Sequence, residues 1–171
     1  GKMDLSRVGM SGHSFGALTT QAVSGEKIPL SKSLTERRIK AAIPMSPGSR
    51  KMISPDESFG EVSIPWLLMT GTHDLALIGG QTIDSRLAVF PALPKGNHYE
   101  VVLHKAEHSV FNDKAFLRDK LPRNPNHHRV ILGLSTAFWD AYLRKDAEAR
   151  SWLNGDSPRN IMEKQDRWQK K

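Results

Sequence analysis

Arg7-Val8-Gly9-Met10-Ser11-Gly12-His13-Ser14-Phe15-Gly16-Ala17 is the stretch that decides how this chain is read. A short apolar run gives a strand end, Gly12-His13-Ser14-Phe15-Gly16 fits G-x-S-x-G, and Ala17 to Val23 suits a helix. Strand, turn and helix in that order put a serine on the turn. The spacing has a physical reason. A backbone bent sharply enough to push the serine hydroxyl out at the strand's end leaves little room for Cβ atoms, and glycines two residues to either side remove them. Gly16 and Ala17 are also expected to let the helix lie close to the sheet, with its positive N-terminal end beneath the reacting group.

Outward from this stretch, the chain alternates apolar strands with helices and loops. Gly25 stops the first helix, and 26–38 reads as a polar connection. Ile39 to Ile43 reads as a buried strand closed by Pro44-Met45-Ser46-Pro47-Gly48, and 49–61 as a surface loop. Ile64-Pro65-Trp66-Leu67-Leu68-Met69 is unbroken apolar sequence, the pattern of a strand covered on both faces, and ends at Thr70-Gly71-Thr72-His73-Asp74. Asp84 caps a short helix from Ser85 to Phe90, and Pro91, Pro94 and Gly96 precede a strand from His98 to Leu103. His104 and His108 then fall in a loop. Asn124 and Pro125 open the clearest helix, with Val130, Ile131, Leu134, Ala137, Phe138, Ala141 and Tyr142 at helical spacing. The segment 146–171 reads as a tail.

This order predicts an α/β fold with a mostly parallel sheet of about four strands and flanking helices, its chemistry at the carboxyl edge. The 171 residues, 38% hydrophobic and 25% charged, suit one domain or part of one. No run reaches the roughly 20 apolar residues of a membrane helix. The absence of cysteine excludes disulfides, thiolate zinc sites and a cysteine nucleophile. It leaves the compartment open. The net charge of +7 comes from scattered basic residues without the aromatic-basic pattern of a single-strand binder, so it reads as a solvated surface rather than a nucleic-acid site.

A serine hydroxyl needs a base, and the base an orienting carboxylate. In a G-x-S-x-G hydrolase the chain order is serine, acid, histidine. Asp74 follows the third strand and His108 the fourth. Asp84, Asp56 and Glu61 are the weaker choices of acid, and His104 is the alternative base. His13 and His73, close to these residues in sequence, are read as walls of the site. His98, His127 and His128 read as surface or helix-start residues.

Together, Gly12-His13-Ser14-Phe15-Gly16, Gly71-Thr72-His73-Asp74 and Glu107-His108-Ser109-Val110-Phe111 resemble the C-terminal half of an α/β-hydrolase. The resemblance runs from Asp4 to about Leu143. It is closest to the serine esterases called predicted dienelactone hydrolases, related to platelet-activating-factor acetylhydrolases and more distantly to polyester-cleaving cutinases. It implies that Ser14 attacks an ester carbonyl, His108 relays the proton, Asp74 holds His108, and the Phe15 N–H donates to the oxyanion. His13, Met45, Ser46, Leu75 and Leu77 would bind substrate, a small-molecule ester. No cofactor or metal is implied. Dienelactone hydrolase proper uses cysteine, so its substrate is not carried over.

Members of this family carry strands and helices before the elbow, including the loop with a second oxyanion donor. This chain has only about three residues there. The expectation is a truncated or partial hydrolase domain whose N-terminal strands are missing. The elbow strand would then be open on one side, with the sheet completed by a missing N-terminal half or a second copy of the chain.

Two other readings stand beside this one. His104-Lys105-Ala106-Glu107-His108 matches H-x-x-E-H, a zinc-peptidase pattern in which two histidines one helical turn apart share the ion, with Glu148 or Glu163 as the available third ligand. The other is a non-catalytic hydrolase-like module kept for binding or assembly.

Overall fold

The computed structural model describes residues 4–76 and 79–171. Five strands form one sheet: β1 (Val8–His13), β2 (Ile39–Met45), β3 (Trp66–His73), β4 (His98–Glu107) and β5 (Arg167–Lys170), in the order β1-β2-β3-β4-β5. The first three pairings are parallel, and β5 runs antiparallel to β4. The helices are α1 (Phe15–Val23), α2 (Pro55–Phe59), α3 (Ile83–Leu87), α4 (Val89–Ala92), α5 (Pro125–Trp139) and α6 (Ala147–Asn154), with a 3-10 turn at His108–Phe111. The architecture is α/β, as the alternation of patterns predicts.

The unbroken apolar runs have a simple cause, since both faces of the central strands are covered. Ala41, Ile43, Leu67, Met69, Tyr99, Val101 and Leu103 share a core with Val130, Leu134 and Phe138 of α5 and Leu153 of α6. The alternate residues Ala42, Trp66 and Leu68 pack with Phe59, Val62, Val89, Phe90 and Leu93 on the other side. A one-residue slip of any central strand would exchange these two sets, so the packing pins the register.

Several expectations are corrected. The sheet has five strands because the tail returns to it: Trp168 lies opposite Val101 and stacks on Tyr99 at 5.6 Å between ring centroids. Arg-Trp-Gln-Lys has no apolar alternation of its own and becomes a strand only through β4. Within 49–61, Ser54 caps α2 by accepting from the Glu57 N–H, and Phe59 is fully buried, so the segment is more than a surface loop. The cap of α3 is Thr82 rather than Asp84, in a reciprocal pair with Ser85. The single helix expected there is split in two, and Pro91 lies within α4, where the first turn needs no N–H donor. Strand β4 extends to Glu107 and so includes His104. His98 is buried rather than on the surface, and burial pushes its imidazole down to about 4.

At the other end of the sheet, β1 has β2 on one side and no strand on the other among the described residues. Trp139 and Leu143 lie over it so closely that a Cβ on Gly9 would sit 2.7 Å from the Trp139 ring. A groove lined by Leu5, Val8, Gly9 and Leu143 runs alongside, and Leu5 stays exposed.

Glu100 on β4 is 2% exposed, with Oε2 accepting from Gln169 Nε2 at 2.7 Å and Oε1 without a partner among the described residues. Burial pushes its carboxyl up to about 7, against the smaller opposing pull of Arg167 and Gln169. The folded chain therefore keeps a proton on Glu100 that the unfolded chain has released above its ordinary value of 4.5. This contribution costs stability as pH rises from about 4.5 towards 7 and is constant beyond. Glu100→Gln removes it. The stability of that variant relative to the parent should rise by roughly 1 kcal/mol per pH unit between pH 5 and 7 and then level off, as read by denaturant titration at each pH. The buried histidines contribute equally to both proteins and cancel in the difference.

Candidate active site

Ser14 sits between β1 and α1 with φ 61° and ψ −116°, a strained conformation for a residue with a side chain. Three hydrogen bonds hold the bend. The Ser14 N–H donates to the Met45 carbonyl at 3.1 Å, and its own carbonyl accepts from the N–H groups of Ala17 and Leu18 at 3.0 and 3.3 Å. A Cβ on Gly12 would lie 2.3 Å from the Gly16 carbonyl oxygen, so only glycine fits at that position. The expectation that Gly16 also relieves a clash is not met, because a Cβ there would have no neighbour within 4 Å. Ala17, fully buried, is the residue that brings α1 onto the sheet.

Ser14 does not use its side chain to cap α1. Its Oγ lies 2.9 Å from Nε2 of His108. The Nδ1 of His108 lies 2.6 Å from Oδ1 of Asp74. A carboxylate only accepts, so Nδ1 carries the proton in the neutral ring. Nε2 is then an acceptor, and the serine hydroxyl donates to it. The three residues chosen from the sequence thus meet in one chain of hydrogen bonds.

The acid is fully buried. Its Oδ2 accepts from Thr70 Oγ1 at 2.8 Å, and Arg86 lies 3.3 Å from Oδ1. Burial by itself pushes the Asp74 carboxyl up. The hydrogen bond to His108 and the Arg86 guanidinium outweigh it and hold the group below the usual carboxylate value.

His108 opens the 3-10 turn directly after β4. The following segment is tied back to it: the Glu107 carboxylate accepts from the N–H groups of Lys120 and Leu121, Ser109 Oγ donates to Asp119, and Arg123 donates to the Ser109 carbonyl. The rings of His13 and Phe116 flank His108 at 4.6 and 6.3 Å. Burial, then repulsion from His108, lowers the His13 imidazole to about 4, so it stays neutral near pH 7. His13 packs against His108 and is not among the residues that line the cleft beside Ser14.

The remaining residues separate into those at the site and those outside it. Met45 ends β2 and serves Ser14 through its carbonyl. Ser46, Phe15, Leu18, Ala76, Gln81 and Arg86 line a cleft beside Ser14. Ser46 is nearly fully buried, with its Oγ unpartnered among the described residues. The Phe15 ring is 63% exposed and Leu75, next to Asp74, is 59% exposed, so an apolar lip faces outward. The Phe15 N–H, first in α1, has no hydrogen-bond acceptor among the described residues. Leu77 lies outside the described residues.

His73 is exposed and pairs with Thr72 Oγ1, so it forms no wall of this cleft. Asp56, Glu61 and Asp84 are exposed, away from the base. His104 lies on extended β4, where its N–H donates to Asp166 and its carbonyl accepts from His127, and the ring that reaches Ser14 is that of His108 instead. It is also not one helical turn from His108, as the zinc pattern needs, and no group of three metal-ligating side chains gathers among the described residues. His127 is buried at the start of α5. The sequence reading missed Arg86, an unremarkable residue in a short helix whose importance comes from tertiary contacts.

The chain matches no family model, and no curated protein matches it. The chemistry is therefore read from the geometry. If the Ser14 bend depends on the absent Cβ of Gly12, Gly12→Ala should lower stability by about 1–3 kcal/mol, while Gly16→Ala changes it little. Thermal unfolding of the two variants makes the comparison. Labelling by a fluorophosphonate should be lost in Gly12→Ala.

Proposed function

We propose that this protein is a serine hydrolase of carboxylic esters, working through Ser14, His108 and Asp74 and an acyl-enzyme intermediate. The observation that carries the reading is the unbroken relay from a buried carboxylate through an imidazole to a serine held on a strained bend, at 2.6 and 2.9 Å. Each part has a chemical task. Ser14 Oγ attacks the carbonyl carbon as its proton passes to Nε2 of His108, and Asp74 faces the imidazolium that forms. The Phe15 N–H and the N-terminal end of α1 stabilise the oxyanion. His108 then returns the proton to the departing alkoxide, and a water molecule activated by the same ring releases the acid.

The exposed Phe15 and Leu75 give an apolar lip suited to an acyl or alkyl group. The sequence resemblance to α/β-hydrolase esterases supports the same conclusion. The open outer edge of β1 further suggests that another segment or copy completes the sheet on the nucleophile's side.

Hydrolysis of a short p-nitrophenyl ester provides the test. Ser14→Ala should abolish turnover, and Asp74→Asn should reduce kcat by about 10⁴, the scale seen when the orienting acid of a triad becomes an amide. A fluorophosphonate should label Ser14 and no other residue. Absence of both turnover and labelling would refute the esterase reading.

A further inference from the structure

We propose that Arg86 is a positioning residue for the triad: it offsets the charge of the buried Asp74 carboxylate beside His108 and fixes the direction in which that carboxylate points. This inference rests on the serine-hydrolase reading and adds a fourth residue to it.

Arg86 is 2% exposed, on α3. Its planar fork joins three segments of the chain. Nε donates to the Asp74 carbonyl at 2.6 Å, Nη1 donates to the carbonyls of Ser46 and Pro47 at 2.6 and 3.0 Å, and Nη2 lies 3.3 Å from Asp74 Oδ1. Asp74 is therefore held at both its backbone and its side chain, with Thr70 fixing the other carboxylate oxygen. One ammonium group could not make these contacts together, because lysine lacks the fork.

The charge balance gives the arrangement its meaning. A buried carboxylate needs a cation, and the two groups within reach are Arg86 and His108. Without Arg86, the uncompensated carboxylate would favour the imidazolium form of His108 over the neutral ring. Arg86 meets the demand with a charge that does not titrate. It also places Nη2 3.5 Å from Nδ1 of His108, where a second cation is unwelcome. Other titratable groups are accounted for. His13 on β1 packs against His108 with its ring tilted, while Glu107 and Asp119 receive hydrogen bonds from the loop that follows.

The test compares Arg86→Met, which removes the charge, with Arg86→Lys, which keeps a charge and loses the fork. In Arg86→Met the acid limb of kcat/KM for a p-nitrophenyl ester should move up by roughly one pH unit or more, the scale of an arginine acting on a neighbouring carboxylate. In Arg86→Lys the limb should stay near that of the parent while kcat falls about tenfold or more, as when supporting contacts to a reactive site are lost. Ring ¹⁵N shifts of His108 near pH 7 read the same effect without turnover, with more imidazolium in Arg86→Met than in the parent.

A folded Arg86→Met with both the limb and the ring shifts of the parent would overturn the proposal. So would unfolding of both variants, which would assign Arg86 to the fold alone. If the parent has no esterase activity yet Arg86→Met shows the imidazolium change, the positioning role stands and the esterase reading falls.

Discussion

The bend at Ser14 is the constraint around which the rest is arranged. A residue with a side chain at φ 61° and ψ −116° is held there only because its surroundings leave it no better choice. The Met45 carbonyl takes its N–H, the first turn of α1 takes its carbonyl, and the bare Cα of Gly12 lets the Gly16 carbonyl approach. The first depends on β1 and β2 being paired in parallel register, with His13 opposite Met45. The sheet supplies the support, and α1 supplies the stop. What this achieves is a hydroxyl aimed away from its own backbone and towards an imidazole delivered from three strands away.

The same sheet places acid and base. β3 and β4 pair closely and end together, and a register shift between Gly71 and His73 turns both chains at their carboxyl ends. Gly71 permits this, since a Cβ there would lie 2.1 Å from the Ala106 carbonyl oxygen. Lys105, at φ 58°, kinks the neighbouring strand, and its N–H donates to Thr72 Oγ1. Asp74 and His108 leave the sheet beyond this irregularity.

Much of this was legible in the sequence, for a local reason. Ser14, Asp74 and His108 each come soon after a short apolar run, and the apolar run is the signal that survives without tertiary information. The helix α5 was legible for the same reason, with its cap at Asn124 and its stripe of Val130, Leu134 and Phe138. What was not legible depends on partners far along the chain. Arg167-Trp168-Gln169-Lys170 is a strand because Tyr99 and Val101 accept Trp168. Arg86 is indistinguishable from a surface arginine until Ser46, Pro47 and Asp74 surround it. Gly16 shows the opposite error, since a motif glycine was given a steric duty that the space around it does not require.

The parallel pairing described above also bears on how the molecule comes together. Ser14 and His108 are 94 positions apart, and Asp74 and His108 are 34 apart. Contacts of such high contact order are reached late, because the entropy of closing long loops is spent before the contacts repay it. A nascent chain or half-folded intermediate can pair β3 with β4 and still lack the contact between Ser14 and His108, so the three side chains come together only when β1 docks beside β2.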